Sequence, residues 1–277
     1  MLKFRKLLSE VQNMPVSIIP DVTRLPETIE FSTQYHLGWE FNDFMFPTVL
    51  DNEDEIARLT DVYQSHDMPR VRSLHGAFLD VTVHSSDARI REVSDLRINQ
   101  SIAAAQALSC GKVIFHSGSI PNFHDKAYCD DWVKKNAAYW TAKTQQYPGI
   151  DLLMENMFDM TPDLLLRLGE ELNGVSCFGI CLDFAHATVF GEGEYSADEF
   201  VKTLAPYVRH IHLNDCDLRH DLHLPIGDGL INWDRFAKLY AEQMKGASML
   251  IEVKELEGQK RSLDFLLELF TRHGITL

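Results

Sequence analysis

Short apolar runs recur along the chain, most of them followed by a longer segment whose apolar positions return every three or four residues, the signature of strands alternating with helices. Val16–Ile19, Leu37–Phe41, Ser73–Phe78, Lys112–His116, Ile150–Glu155, Phe178–Asp183, His210–Leu213 and Met249–Val253 read as strands. Helical segments are predicted at Asp54–His66, Asp87–Leu108, Asp131–Tyr147, Pro162–Leu172, Ala197–Leu204, Trp233–Met244 and Leu263–His273, with Pro162 suited to a first helical turn. Strands alternating with helices imply a parallel sheet, and eight such units in a chain of this length match a closed barrel. The expected fold is α/β, a single (β/α)8 TIM barrel over residues 1–277 with a short N-terminal extension, where Leu2–Val11 reads as an amphipathic opening over one end of the core. A doubly wound open sheet is the alternative, but no G-x-G-x-x-G follows the first strand and no Walker loop is present.

Composition narrows the partners. The 277 residues are 45% hydrophobic and 24% charged, which suits a globular chain with a substantial core. A formal net charge of −15 argues against nucleic acid or an anionic membrane as a partner. The N-terminus lacks a sustained apolar stretch, and no segment is long and charge-free enough to cross a bilayer, so the expectation is a cytoplasmic protein. Cys110, Cys129, Cys177, Cys181 and Cys216 contain no C-x-x-C pair and read as buried, reduced thiols. The oligomeric state stays open, homodimer and homotetramer included.

Candidate chemistry concentrates between Arg209 and Gly229, a stretch dense in imidazoles and carboxylates. Side chains alternate along a strand, so His210, His212 and Asn214 share one face while Ile211 and Leu213 share the other. Beyond the strand, Asp221 and His223 are spaced so that one bend can aim both at a cation. The pattern repeats elsewhere: His75, His116, Glu155, Asp183, His212 and Glu252 all fall near the C-terminal ends of predicted strands, where a barrel assembles its catalytic face. Converging carboxylates without a cation would repel and be costly to desolvate. Glu155, Asp183, His212 and Glu252 make a mixed nitrogen and oxygen site suited to zinc or manganese. With His75, His116, His186, Asp221 and His223 there are ligands for three ions in all, and Glu155 could bridge. His210 is read as a packed, hydrogen-bonded residue, and His84, His124 and His220 as surface residues. Lys254 could hold a substrate phosphate or neutralise the carboxylates.

These motifs resemble the xylose-isomerase-like barrels, which include sugar phosphate isomerases/epimerases and the type IV apurinic/apyrimidinic endonucleases of AP endonuclease family 2. The resemblance runs along nearly the whole chain, through Leu74-His-Gly-Ala-Phe, Phe115-His-Ser-Gly, Met154-Glu-Asn, Cys181-Leu-Asp-Phe-Ala-His, His212-Leu-Asn-Asp, Asp221-Leu-His-Leu-Pro-Ile-Gly-Asp-Gly and Leu250-Ile-Glu. The endonuclease pattern implies one ion on His75, His116 and Glu155, a second on Glu155, Asp183, His212 and Glu252, and a third on His186, Asp221 and His223. The epimerase branch implies one ion on the central four, with His186 at the mouth and Glu155 and Glu252 exchanging substrate protons. Phe78 stands where the endonucleases imply tyrosine, Ser117 where they imply proline, and the run before Asp221 is mixed rather than basic. Gly38-Trp-Glu-Phe looks like a strand of the sugar enzymes and makes Glu40 either a candidate substrate contact or only a salt-bridge partner.

The favoured expectation is a divalent-metal-dependent isomerase or epimerase acting on a small carbohydrate or sugar phosphate, with Glu155, Glu252 and His186 as catalytic residues. A phosphoesterase with a trinuclear metal cluster is the alternative, and a barrel that binds metal or sugar without turnover is the third reading. Phe44, Phe46, Phe123, Phe158 and Phe190 fall after the strands, where each could close over a sugar ring or equally serve as loop packing. Asp43, Asp51, Glu53, Asp125, Asp130, Asp159, Glu192 and Glu194 would make the same loops a poor surface for a phosphate backbone.

Overall fold

Eight parallel strands close into a barrel in sequence order in the computed structural model, which describes residues 16–191 and 197–275. The strands are β1 Val16–Ile18, β2 Gly38–Phe41, β3 Arg72–His75, β4 Lys112–His116, β5 Asp151–Glu155, β6 Phe178–Asp183, β7 Val208–Leu213 and β8 Ser248–Ile251. Closure comes from β1 pairing β8, with Ser17 opposite Leu250 and Ile18 opposite Ile251. The predicted opening Leu2–Val11 and the acids Glu192 and Glu194 lie outside the described residues.

Alternation along the strands sorts the core into two parts. Trp39, Phe41, Val113, Phe115, Leu152, Met154, Ile180, Leu182, Ile211 and Leu213 belong to the main apolar core. Ile114, Leu153 and Cys181 form a separate, much smaller apolar cluster. The odd and even positions of a strand face opposite ways, so this second group fills the barrel interior among polar neighbours. No helix among the described residues is long and apolar enough to cross a membrane.

Three differences from the expected elements have physical causes. Helix Leu25–Tyr35 follows β1 but has a weak sequence signal, because its buried face mixes Leu25 and Phe31 with Thr28 and Ser32. Strand β3 stops at His75, since Ala77 N is bound by Ser101 Oγ at 2.9 Å and Phe78 N by Met45 O at 3.0 Å, outside the ladder. A Cβ on Gly76 would stand 2.3 Å from the Phe115 ring, so only glycine lets the chain turn there. The last helix runs Leu256–Arg272 and so starts well before the predicted Leu263, because after Leu256 its first turns pack through Gly258, Gln259 and Ser262 rather than through further large apolar groups. Gln259 Nε2 donates to Ile19 O and Val253 O, both at 2.8 Å, and ties the β1 and β8 ends together.

Candidate metal centre

The strand ends bring the nine expected ligands to one region. His75, His116, Glu155 and Asp183 end β3, β4, β5 and β6; His212 lies within β7, and Glu252 directly follows β8. Asp183 caps the short helix Phe184–Val189 by accepting His186 N, which places His186 beside it. Asp221 and His223 come from the loop after β7, where an antiparallel bridge joins Asp215 to Leu224. Asp215 anchors that loop, its carboxylate accepting Gly227 N at 2.9 Å, Ile231 N at 3.1 Å and Trp233 Nε1 at 2.7 Å. A Cβ on Gly229 would meet Asp215 Oδ1 at 2.3 Å, so the loop needs glycine there.

Three adjoining groups have ligand atoms within 4.8 Å of one another: His75, His116 and Glu155; Glu155, Asp183, His212 and Glu252; and His186, Asp221 and His223. Glu155 belongs to the first two, with Oε2 at 3.5 Å from His75 Nε2 and 3.6 Å from His116 Nε2, and Oε1 at 3.2 Å from His212 Nδ1. In the third, Asp221 Oδ2 stands 3.3 Å from His186 Nε2 and 3.2 Å from His223 Nε2.

The histidines are held from behind. His75 Nδ1 donates to Gly76 O at 3.0 Å, His186 Nδ1 to Asn156 O at 2.9 Å and His223 Nδ1 to Glu252 O at 3.1 Å. A carbonyl can only accept, so the proton of each neutral ring sits on Nδ1 and Nε2 keeps a lone pair toward its group. Asn156 also bonds both backbone groups of Asp183, a contribution the sequence reading missed. Cys181 was likewise missed as a possible ligand; it shares a group with Glu155 and His212.

Electrostatics and satisfaction both leave room for a cation. Burial pushes the Glu155 carboxyl up, but His212, His75 and His116 outweigh it and hold the group well below the usual range. Burial also lifts Glu252, yet His212 and His223 bring it down to about 2. Asp183 goes the other way, raised to about 7 by burial with Glu252 and Glu155 as charged neighbours. Desolvation drives His116 down to about 3, leaving a neutral imidazole. His186 and His223 reach about 10 because the surrounding carboxylates overcome the opposing effect of burial. Both Glu155 oxygens, both His212 ring nitrogens, His116 Nδ1, His186 Nε2, Asp221 Oδ1 and Glu252 Oε2 are buried without a hydrogen-bond partner among the described residues. Each such orphan costs about 1–3 kcal/mol, and divalent ions would satisfy the inward-facing ones together, so the donor set fits a metal.

Above this cluster opens a cavity of about 830 Å³ lined by His75, His116, His186, Asp221, His223 and Glu252 from the cluster, and by residues of the loops after β1, β2 and β8. Ile19, Asp21, Asn42, Asp43, Met45, Phe46 and Phe78 belong to this lining, and Lys254 is its lysine.

Several expected residues lie elsewhere. Glu40, expected to touch substrate, is fully buried below the cluster against His210, His212 and Ser73. His210 is packed and hydrogen-bonded as expected, with Ser248 Oγ 2.6 Å from Nδ1. His84 is not a surface residue: it is packed against Trp132 and Tyr128, whereas His124 and His220 are exposed. Phe44 belongs to the core instead of the mouth, and Asp159 is buried under Ser117 and Ser119 hydroxyls. Cys129 and Cys177 are half-exposed free thiols, unlike the buried Cys110, Cys181 and Cys216.

A closed parallel barrel with imidazoles and carboxylates gathered at its C-terminal strand ends defines a class of barrel built around a nitrogen and oxygen ligand site. The chain belongs to the xylose isomerase-like TIM barrel family, whose match spans residues 36–269. It is 27% identical over 205 residues to a probable endonuclease 4 of Mycobacterium leprae, covering 70% of this chain and 77% of that one. A Thermus thermophilus protein, TTHB071, studied after soaking with zinc chloride, superposes with a TM-score of 0.73 at 25% identity, over 94% of this chain and 99% of that one. A D-tagatose 3-epimerase-like protein superposes with a TM-score of 0.72 at 23% identity, over 93% of this chain and 97% of that one, a likeness of fold.

Proposed function

We propose that this chain is a divalent-metal-dependent isomerase or epimerase of a small carbohydrate, using zinc or manganese. The observation that carries the reading is a cavity of about 830 Å³ lined by Glu252 of the four-residue group, whose other members Glu155, Asp183 and His212 are buried beside it. That volume suits a small molecule. Asp21, Asp43 and Glu255 line the cavity with Phe46 and Phe78, and Lys254 faces them as a single ammonium, a poor surface for a phosphate backbone. A sugar phosphate remains compatible through Lys254.

When bound, a divalent ion polarises a carbonyl and its neighbouring hydroxyl. Glu252 lines the cavity and has its Oε2 unpartnered, so it is placed to take the proton from the carbon next to the carbonyl. Glu155, also expected to carry a proton, is fully buried and outside the cavity lining, which suits it to hold the ion, and Glu252 then returns the proton to the neighbouring carbon. In this reading His186 is not a ligand: its carboxylate neighbours keep the ring protonated, so Nε2 can donate to substrate oxygen at the mouth, beside Asp221.

Turnover in deuterated water tests the proposal: deuterium should enter at the carbon next to the carbonyl, and Glu252→Gln should suppress exchange about 100-fold or more. A panel of aldoses, ketoses and their phosphates that shows neither interconversion nor exchange would refute it.

One observation favours a second reading, phosphoester hydrolysis on a multinuclear centre. Glu155 turns its two oxygens to two different ligand groups, and the third group adjoins them. An isomerase needs no such bridge, whereas paired ions suit hydrolysis. Phosphate release from a small phosphoester by a preparation inert toward sugars would make this reading the better one.

A further inference from the structure

We propose that Glu40 is a positioning residue for His212, accepting the Nε2 proton and thereby turning Nδ1 into the central carboxylate group. This rests on the metal-dependent reading above.

Glu40 is 0% exposed and lies outside the cavity lining, so it has no route to substrate. Its Oε2 is held from below: Ser73 Oγ donates to it at 2.7 Å, and His210 Nε2 stands 3.2 Å away. His210 is itself fixed, with Nδ1 2.6 Å from Ser248 Oγ, and Lys112 Nζ donates to that hydroxyl at 3.0 Å. These contacts use Oε2 and leave Oε1 facing His212 Nε2 at 3.1 Å. Neither of those two atoms completes a hydrogen bond among the described residues. On the far side of the ring, His212 Nδ1 is 3.2 Å from Glu155 Oε1 and 3.4 Å from Glu252 Oε2.

An imidazole that offers the Nδ1 lone pair to a cation must carry its proton on Nε2, and that proton needs an acceptor. Glu40 Oε1 is the atom placed to take it. His75, His186 and His223 give the equivalent proton to main-chain carbonyls, which no side-chain change removes. His212 instead faces a carboxylate, which strengthens the ring as a donor. Glu40 therefore acts on the central group through His212, one layer below the ligands.

Chelator competition with zinc, together with histidine-selective ¹⁵N spectra, tests this on wild type and Glu40→Gln. The expected result is a 10–100-fold weaker central zinc site and a shifted Nε2–H resonance, assigned by its absence in His212→Gln. A merely structural Glu40 would lower the melting temperature of the metal-free protein but leave zinc affinity and the resonance unchanged, and that result overturns the proposal. Should Glu40→Gln fail to fold, Ser73→Ala loosens the same carboxylate without removing it and faces the same two outcomes. Wild type that takes up no zinc or manganese would overturn the metal reading itself, while unchanged affinity in a folded variant overturns the Glu40 role alone.

Discussion

Asn156 and Asp183 hold each other by a reciprocal pair of hydrogen bonds, Asn156 Nδ2 donating to Asp183 O and Asp183 N donating to Asn156 Oδ1, both at 2.9 Å. The amide thus clamps the turn that carries two expected ligands, Asp183 and His186. Asn156→Ala should destabilise the protein by about 1–3 kcal/mol, because it leaves buried backbone groups unpaired. Zinc uptake should fall with it. Urea unfolding at neutral pH, with zinc content measured on the same samples, checks both; unchanged stability would mean that the turn is held by other contacts.

Removing Glu155 should have a larger effect on metal content than removing any ligand that serves one group. Its two oxygens face different groups, so Glu155→Ala should strip two classes of ion, whereas His223→Ala should strip only the one shared with His186 and Asp221. Elemental analysis with anomalous scattering distinguishes these outcomes. Loss of a single ion from Glu155→Ala would contradict a bridging role.

The barrel was legible in the sequence because short apolar strand runs alternate with segments of helical periodicity, and within β7 Ile211 and Leu213 alternate with His210 and His212. That same alternation brought the strand-borne ligands to one end. Less legible were elements whose buried face is polar or small, such as the helix using Thr28 and Ser32 or the one opening with Gly258 and Gln259. Burial of His84 and Asp159 was hidden for a related reason: local sequence does not show that Trp132 will cover one or that two serine hydroxyls will satisfy the other. Glu40 was visible as an acid on a strand, but its depth below the ligands depends on register around a closed barrel.

His84 should contribute a pH dependence of its own. Burial, with Lys135 adding to it, lowers the ring from its ordinary 6.5 to about 4. Between those values the unfolded chain binds more protons than the folded one, so this contribution is complete above the ordinary value and is lost as pH falls toward about 4. Urea unfolding at pH 7.5 and pH 5 should show a smaller loss on acidification for His84→Gln than for wild type. Equal losses would show that the ring titrates normally in the fold.

Duplex DNA containing an abasic site should bind weakly at physiological salt, since backbone affinity depends on lysine and arginine neutralising phosphates. The chain carries a net charge of −15, and its cavity lining offers Lys254 among Asp21, Asp43 and Glu255. Fluorescence anisotropy across a salt series measures this directly. Tight, salt-sensitive binding with incision beside the lesion would put the hydrolytic reading first.

The bridge between Asp215 and Leu224 gives the loop between them a modular character. Its backbone bonds, Asp215 N to Leu224 O at 2.8 Å and Leu224 N to Asp215 O at 2.9 Å, close the segment at its base before it rejoins the barrel. Asp221 and His223 therefore travel as one contiguous insert, while the other ligands sit on or directly beside the strands, His186 on the short helix that Asp183 caps at the end of β6. A single loop exchange between these pinned ends would add or delete the outer ligand pair as a unit and leave the strands of the barrel unaltered.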